Sequence, residues 1–176
     1  MKELSLNILD IAENSVKARA TLIEILLYQT DDKLTLSIID DGCGMDEETV
    51  KSVIDPFYTT RTTRSVGLGV PLLKLAAEQT EGSFKIKSTL GQGTVVEAVF
   101  NTRHIDFTPL GDVTASILTL IQGHPDIDFF FRHVKGKEAV ELDTRVLRRE
   151  LEDVPLSSYE VIKWIEEYMR EQYEKL

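Results

Sequence analysis

The chain has 176 residues, 42% of them apolar, and a formal charge of −10. A chain this long buries roughly two-thirds of its unfolded surface without cross-links, and its single cysteine, Cys43, rules out an internal disulfide and a cysteine-rich zinc site and suits a reducing compartment. The acidic balance argues against nucleic acid and anionic membranes as partners, and with no leader in MKELSLNILD and no apolar run near ~20 residues, the expectation is a cytoplasmic protein.

Residues 4–18 carry Leu4, Ile8, Ile11, Ala12 and Val16 at helical spacing and predict a helix. Residues 21–29 and 33–40 are aliphatic and β-branched runs around Thr30-Asp31-Asp32, which predicts a hairpin. Asp46 is placed to cap a helix over 47–54. Residues 55–66 lack periodicity and read as a loop. A helix over 69–80 stops near Gly82, and strands over 83–89 and 94–101 flank Gly91-Gln92-Gly93. This order predicts a mixed sheet with helices on one face. A boundary is expected near 102–111, dividing the chain into 1–102 and 103–176. The remainder predicts a helix over 112–123, strands over 127–134 and 138–142, and helices over 143–152 and 158–175, the last opened by a capping box of Ser157 and Glu160.

Four groups of residues bear chemistry. Asn7, Asp10, Asn14 and Lys17 are spaced 3, 4, 3 and form one polar stripe on the first helix. The stripe is either a solvated edge or a pocket wall. As a wall, Asn14 offers an amide oxygen to a hard cation such as Mg²⁺, Lys17 reaches a phosphate, and Asp10 orients or deprotonates a hydroxyl. Asp40-Asp41-Gly42-Cys43-Gly44 follows a strand. It is an ordinary Asp-Gly turn, or a carboxylate that accepts from an exocyclic amine beside glycines that let a flat ring approach. Cys43 reads as a small spacer there.

Gly67-Leu68-Gly69-Val70 opens a helix, where backbone N–H groups and the helix dipole attract phosphate. The loop before it carries Tyr58, Thr59, Thr60, Arg61, Thr62, Thr63 and Arg64. That loop is a solvated segment, or a lid with donors for a triphosphate. Gly93-Thr94 sits at a hairpin. Charge follows the same division: residues 1–55 sum to −7, residues 56–102 to +2 and residues 103–176 to −5. Only the middle segment tolerates an anion readily.

The order of these groups resembles the GHKL superfamily of ATP-binding domains, which includes gyrase, heat-shock chaperones, histidine kinases and MutL. Asn14 to Lys17 is similar to its N box, Asp40 to Gly44 to its first glycine box, Pro56 to Arg61 to the F box of histidine kinases, and Gly67-Leu68-Gly69 and Gly91 to Thr94 to its later glycine boxes. The resemblance covers about residues 1–101 and implies an α+β fold, a two-layer α/β sandwich of the Bergerat type; residues 103–176 read separately as a small α/β extension large enough to set which protein partner the first part meets. The resemblance also implies ATP and Mg²⁺ as cofactors, with Asp40 on the adenine amine, Thr94 near Asp40 and the base, and Asn14 holding the metal. Gly42, Gly44, Tyr58, Thr59, Thr60, Arg61, Arg64, Gly67, Leu68, Gly69, Val70, Gly93 and Lys17 complete the implied nucleotide site, and Asp10 is the catalytic candidate. Two departures stand out: Ser65 replaces the first glycine of the usual Gly-x-Gly-Leu-Gly, and Asp10 stands where hydrolytic members have glutamate.

With the N box starting at residue 7, no phosphoacceptor hairpin is expected before it, and His104, His124 and His133 all follow the part that carries the resemblance. The expectation is a stand-alone regulatory protein kinase that transfers the γ-phosphoryl to a protein partner. An ATP-driven switch with a possible homodimer, or a non-catalytic nucleotide sensor, is the alternative. His124, Asp126, Asp128 and His133 can be drawn as a metal site, but strand alternation puts several on opposite faces. The last helix sets Val161, Ile165 and Met169 against a glutamate-rich side and is expected to pack on its own domain or to offer a partner groove.

Overall fold

A computed structural model describes residues 3–55, 57 and 67–176. Among the described residues, twelve elements follow in chain order: α1 (Leu4–Lys17), β1 (Leu22–Gln29), β2 (Lys33–Asp40), α2 (Glu47–Ile54), α3 (Gly69–Gln79), β3 (Ser83–Thr89), β4 (Gly93–Asn101), α4 (Val113–Gly123), β5 (Asp128–Lys135), β6 (Glu138–Asp143), α5 (Thr144–Leu151) and α6 (Tyr159–Glu174). The strands form one sheet in the order β3-β4-β2-β1-β5-β6. All neighbours are antiparallel except β1 and β5, which run parallel. The mixed sheet and the α+β class agree with the sequence.

Alternation within the strands decides which face the helices cover. Ile23, Ile25 and Leu27 of β1 are buried, and their register partners on β5 are Phe129, Phe131 and His133. On the other side of β1, Ile38 and Leu36 of β2 continue the same rows into Val96 and Ala98 of β4. Leu4, Ile8 and Ile11 of α1, Leu73 of α3, Ile117 and Ile121 of α4, and Ile165 and Met169 of α6 close over this face. Each fully buried aliphatic side chain contributes about 1.5–3 kcal/mol. The core therefore crosses the boundary expected near 102–111: β5 and β6 lengthen the same sheet, and α4 packs on α1.

The segment joining β4 to α4 also closes the start of α1. Glu3, at the N-cap, makes no side-chain cap. Instead the Leu4 N–H donates to the Pro109 carbonyl at 2.9 Å and the Ser5 N–H to the Leu110 carbonyl at 2.8 Å. These bonds satisfy two of the four orphan donors that every helix start carries. Asp46 caps α2 as predicted, accepting from Thr49 N at 2.8 Å. The capping box predicted for α6 is absent. The Ser158 N–H bonds the Pro155 carbonyl at 3.1 Å, so Ser157 is spent in a turn. Ser158 becomes the N-cap, and it makes no side-chain cap bond.

His133 anchors α6 to the sheet. It is 2% exposed, with Nδ1 3.0 Å from the Tyr173 hydroxyl and Nε2 3.2 Å from Gln29 Oε1. Burial, aided by the Lys135 charge, lowers the imidazole pKa to about 4. Burial, and after it the Asp112 charge, raises the Tyr173 phenol well above its ordinary value. A neutral ring beside a protonated phenol fixes the tautomer: Tyr173 donates to Nδ1, and the Nε2–H donates to Gln29.

Candidate functional site

At one end of the central strands, β2 runs into the turn that starts at Asp40. Asp40 is only 9% exposed, and its register partner on β4 is Thr94. Its carboxylate accepts from two donors: Gly42 N–H at 2.9 Å on Oδ1 and the Ser15 hydroxyl at 2.6 Å on Oδ2. The neighbouring Asp41 has a different task. Its oxygens take the N–H groups of Thr21 and Leu22 and the Thr21 hydroxyl, tying the start of β1 to the end of β2. Burial alone would raise the Asp41 carboxyl, but the Leu22 and Thr21 donors together hold it below the usual carboxylate range. Of the two adjacent aspartates, Asp40 is therefore the one that faces the cavity.

Two turns wall this end. The Gly91 N–H donates to the Cys43 carbonyl at 2.7 Å, and the Cys43 N–H to the Ala18 carbonyl at 2.9 Å. The turns approach so closely that side chains are excluded. Gly93 has φ +107, and a Cβ there would fall on the Asp40 carbonyl oxygen. Gly44 has φ +66, and its Cβ would fall on the Thr89 carbonyl oxygen. Only glycine combines that backbone with that proximity. Ser88 of β3 bonds three atoms of this wall: Met45 N at 2.8 Å, the Gly93 carbonyl at 3.0 Å and Thr94 Oγ1 at 2.8 Å.

The result is a cavity of about 530 Å³ between α2 and the ends of β2, β3 and β4. Its size falls within the ~300–1,000 Å³ of small-molecule sites. Asp40, Gly93 and Thr94 line it, together with Ser88, Glu47, Val50, Lys51, Ile86 and Gln92. Ile86 and Val50 give it apolar surface.

The other predicted residues take distinct places. Gly42 and Gly44 shape the turn beneath Asp40. Asn14 is half-buried and Lys17 exposed on the last turn of α1, and neither is among the cavity-lining residues. Of the rest of the stripe, Asn7 is buried and Asp10 exposed. Leu68 is the N-cap of α3, Gly67 is exposed, and Gly69 and Val70 are buried. Gly69 lies against α1: a Cβ there would stand 3.1 Å from the Asp10 Cβ and 3.8 Å from its Oδ2. Helix α1 thus touches the start of α3 at Asp10 and the strand-end carboxylate at Ser15. The two contacts are five positions apart on the helix, roughly 7.5 Å along the axis. Tyr58, Thr59, Thr60, Arg61 and Arg64 lie outside the described residues.

Sequence reasoning missed Ser15 and Ser88. Ser15 follows Ile8, Ile11 and Ala12 at core spacing, so a hydroxyl on the apolar stripe was the available signal. Ser88 had only its inward place in an alternating strand. Among the described residues, no three His, Cys, Asp or Glu side chains gather as a metal cluster. In the set drawn from the sequence, His124 bonds Glu13 at 2.9 Å, Asp128 bonds Arg148 at 3.1 Å, and His133 is buried with Tyr173 and Gln29.

A two-layer α+β domain with a walled cavity at the strand ends is built to hold a small ligand. Residues 2–104 match the family of histidine kinase-, DNA gyrase B- and HSP90-like ATPases, and the chain belongs to it, carrying the ATP-binding domain of that family. Over 101 residues it is 30% identical to sporulation kinase C of Bacillus subtilis, covering 56% of this chain and 23% of that protein. Over 94 residues it is 35% identical to the signal transduction histidine-protein kinase AtoS of Escherichia coli, covering 53% of this chain and 15% of that one. The chain thus spans under a quarter of the length of these curated relatives. In fold it is similar to the MutL ATPase domain of Aquifex aeolicus complexed with ADP, with TM-score 0.54 and 17% identity over 86% of this chain and 68% of that one. That coverage exceeds the span of the family match, so the likeness of fold includes residues beyond 104. Among the described residues, no helix is long and apolar enough to cross a membrane.

Proposed function

We propose that the protein is a Mg-ATP-dependent regulatory kinase that passes the γ-phosphoryl to a hydroxyl or imidazole of a partner protein. The observation that carries this reading is the cavity headed by Asp40 and joined through α1 to the glycine-led start of α3. Adenine enters against Ile86 and Val50, and its amine donates to Asp40. The triphosphate extends along α1 toward the N–H groups at Gly67 to Val70, where the helix dipole favours negative charge. Lys17 adds positive charge, and by residue type alone Arg61, Arg64, Tyr58, Thr59 and Thr60 are further donors for phosphate oxygens.

Oxygen donors fit a hard divalent cation. Asn14 would offer its amide oxygen to Mg²⁺. When bound, the metal would offset phosphate charge. Asp10, beside the start of α3, accepts the proton of the acceptor group or orients it, and positioning supplies the rest of the rate. The relatives named as kinases support transfer to a protein.

A second reading is favoured by the likeness of fold to the MutL ATPase domain, which extends past the shared family region. In that reading ATP orders a surface for a homodimer or partner, and slow hydrolysis resets it. Thermal melting with ATP and Mg²⁺ tests the shared premise. Ligand at 100 times its Kd adds about 2.7 kcal/mol of stability, and Asp40→Asn should erase most of that gain. An unchanged melting curve for the wild type overturns both readings. Radiolabel transferred to a partner supports the kinase; label released only as free phosphate, in a step lost in Asp10→Asn, supports the switch.

A further inference from the structure

Ser88 bridges three groups of the cavity wall, and a hydroxyl has one proton and two lone pairs. The Met45 N–H takes one lone pair at 2.8 Å. The Gly93 carbonyl, 3.0 Å away, can only accept, so it takes the Ser88 proton. The contact with Thr94 Oγ1, at 2.8 Å, is then made only if Thr94 donates. All three contacts coexist in this one arrangement. Thr94 therefore turns its proton away from the cavity and shows it lone pairs alone.

Asp40, the register partner of Thr94, is of the same polarity. Gly42 N–H and the Ser15 hydroxyl both donate to it, so its oxygens act as acceptors. The polar end of the cavity consequently presents acceptors and no donor from this pair. An amine on the ligand edge finds partners there. A carbonyl in the same place meets other oxygens, and a polar atom buried without a partner is costly.

We infer that Ser88 is a positioning residue that, by holding the Thr94 proton, makes the base subsite select a 6-amino purine over a 6-oxo purine. This rests on the nucleotide site proposed above. Replacing Ser88 with alanine frees the Thr94 hydroxyl to rotate and donate into the cavity, which removes part of the penalty against an oxo group.

The test measures binding of ADP and of inosine diphosphate, each with Mg²⁺, by calorimetry on the full chain. The wild type should prefer ADP. Ser88→Ala should reduce that preference about threefold to tenfold, the size of one hydrogen bond. In a Thr94→Val background, Ser88→Ala should change the preference by less than about twofold, because the group through which it acts is gone. A purely structural Ser88 would weaken both nucleotides equally and leave the preference intact, and that result overturns the inference. So does an equal change in the Thr94→Val background. If Ser88→Ala does not fold, Thr94→Val alone decides, since an unchanged preference there removes the proposed route. A wild type that binds both nucleotides equally sinks this inference alone; one that binds neither sinks the nucleotide site with it.

Discussion

Ser15 on α1 and Asp40 at the end of β2 lie 25 positions apart in sequence, and the serine hydroxyl meets carboxylate Oδ2 at 2.6 Å. Both are buried, at 4% and 9% exposure. The bond fixes the carboxylate from the helix side while Gly42 fixes it from the turn. Ser15→Ala leaves a buried acceptor without its donor and should cost about 1–3 kcal/mol of stability. It also frees the carboxylate to rotate, so affinity for ATP should fall roughly tenfold, a loss of about 1.4 kcal/mol. Calorimetric titration beside a urea melt measures the two effects separately. Unaltered affinity in a folded variant would show that Asp40 needs no such support.

Gly93→Ala tests the close approach of the two turns. Its positive φ and the Asp40 carbonyl beside it leave no place for a methyl group. Backbone strain alone costs on the order of 1–3 kcal/mol, and the displaced Asp40 should abolish the ATP-dependent rise in melting temperature. Gly91→Ala is a useful companion. It shares a positive φ, yet nothing lies within 4 Å of its Cβ position, so it reports strain without collision.

Acid stability should follow His133. Its folded pKa of about 4 lies below the ordinary value of 6.5, so between these values the unfolded chain binds more protons. The stabilisation is complete above pH 6.5 and is lost as pH falls toward 4, by an amount on the order of 3 kcal/mol. Urea midpoints measured from pH 7 to pH 4 should decline more steeply in the wild type than in His133→Phe. Parallel curves for the two proteins would assign the acid loss to carboxylates instead.

Ile117→Ala on α4 asks whether the chain unfolds as one unit. Ile117 is fully buried in a core shared with α1 and the sheet. Its truncation should cost about 2–5 kcal/mol and shift a single denaturation transition. Two transitions, with only one of them moved, would show that residues 103–176 form an independent unit.

Much of the fold was legible because local patterns and the final structure agree. The helix over 47–54 follows from Asp46, which caps it as its position predicts, and the strands over 33–40 and 83–89 follow from apolar runs and the turns beside them. The start of α6 was misplaced by one residue because a turn at Pro155 competes for Ser157. Nothing within 103–176 announced that its strands extend the first sheet. Strand alternation tells which side chains face a core, and carries no information about which strand will be the neighbour.

The site divides in the same way. Sequence alone named the candidates: an aspartate at a strand end, glycines where turns collide, an amide and a carboxylate on one helix, and a glycine-led helix start. These follow from short-range geometry, which spacing encodes. Tertiary packing decided the partners: that Ser15 and Gly42 hold Asp40, that Ser88 takes the Thr94 proton, and that Asp10 rests against Gly69. Those contacts join residues as far as 59 positions apart. A hydrogen bond needs its two atoms within about 3 Å, and only the packed sheet and helices bring them there.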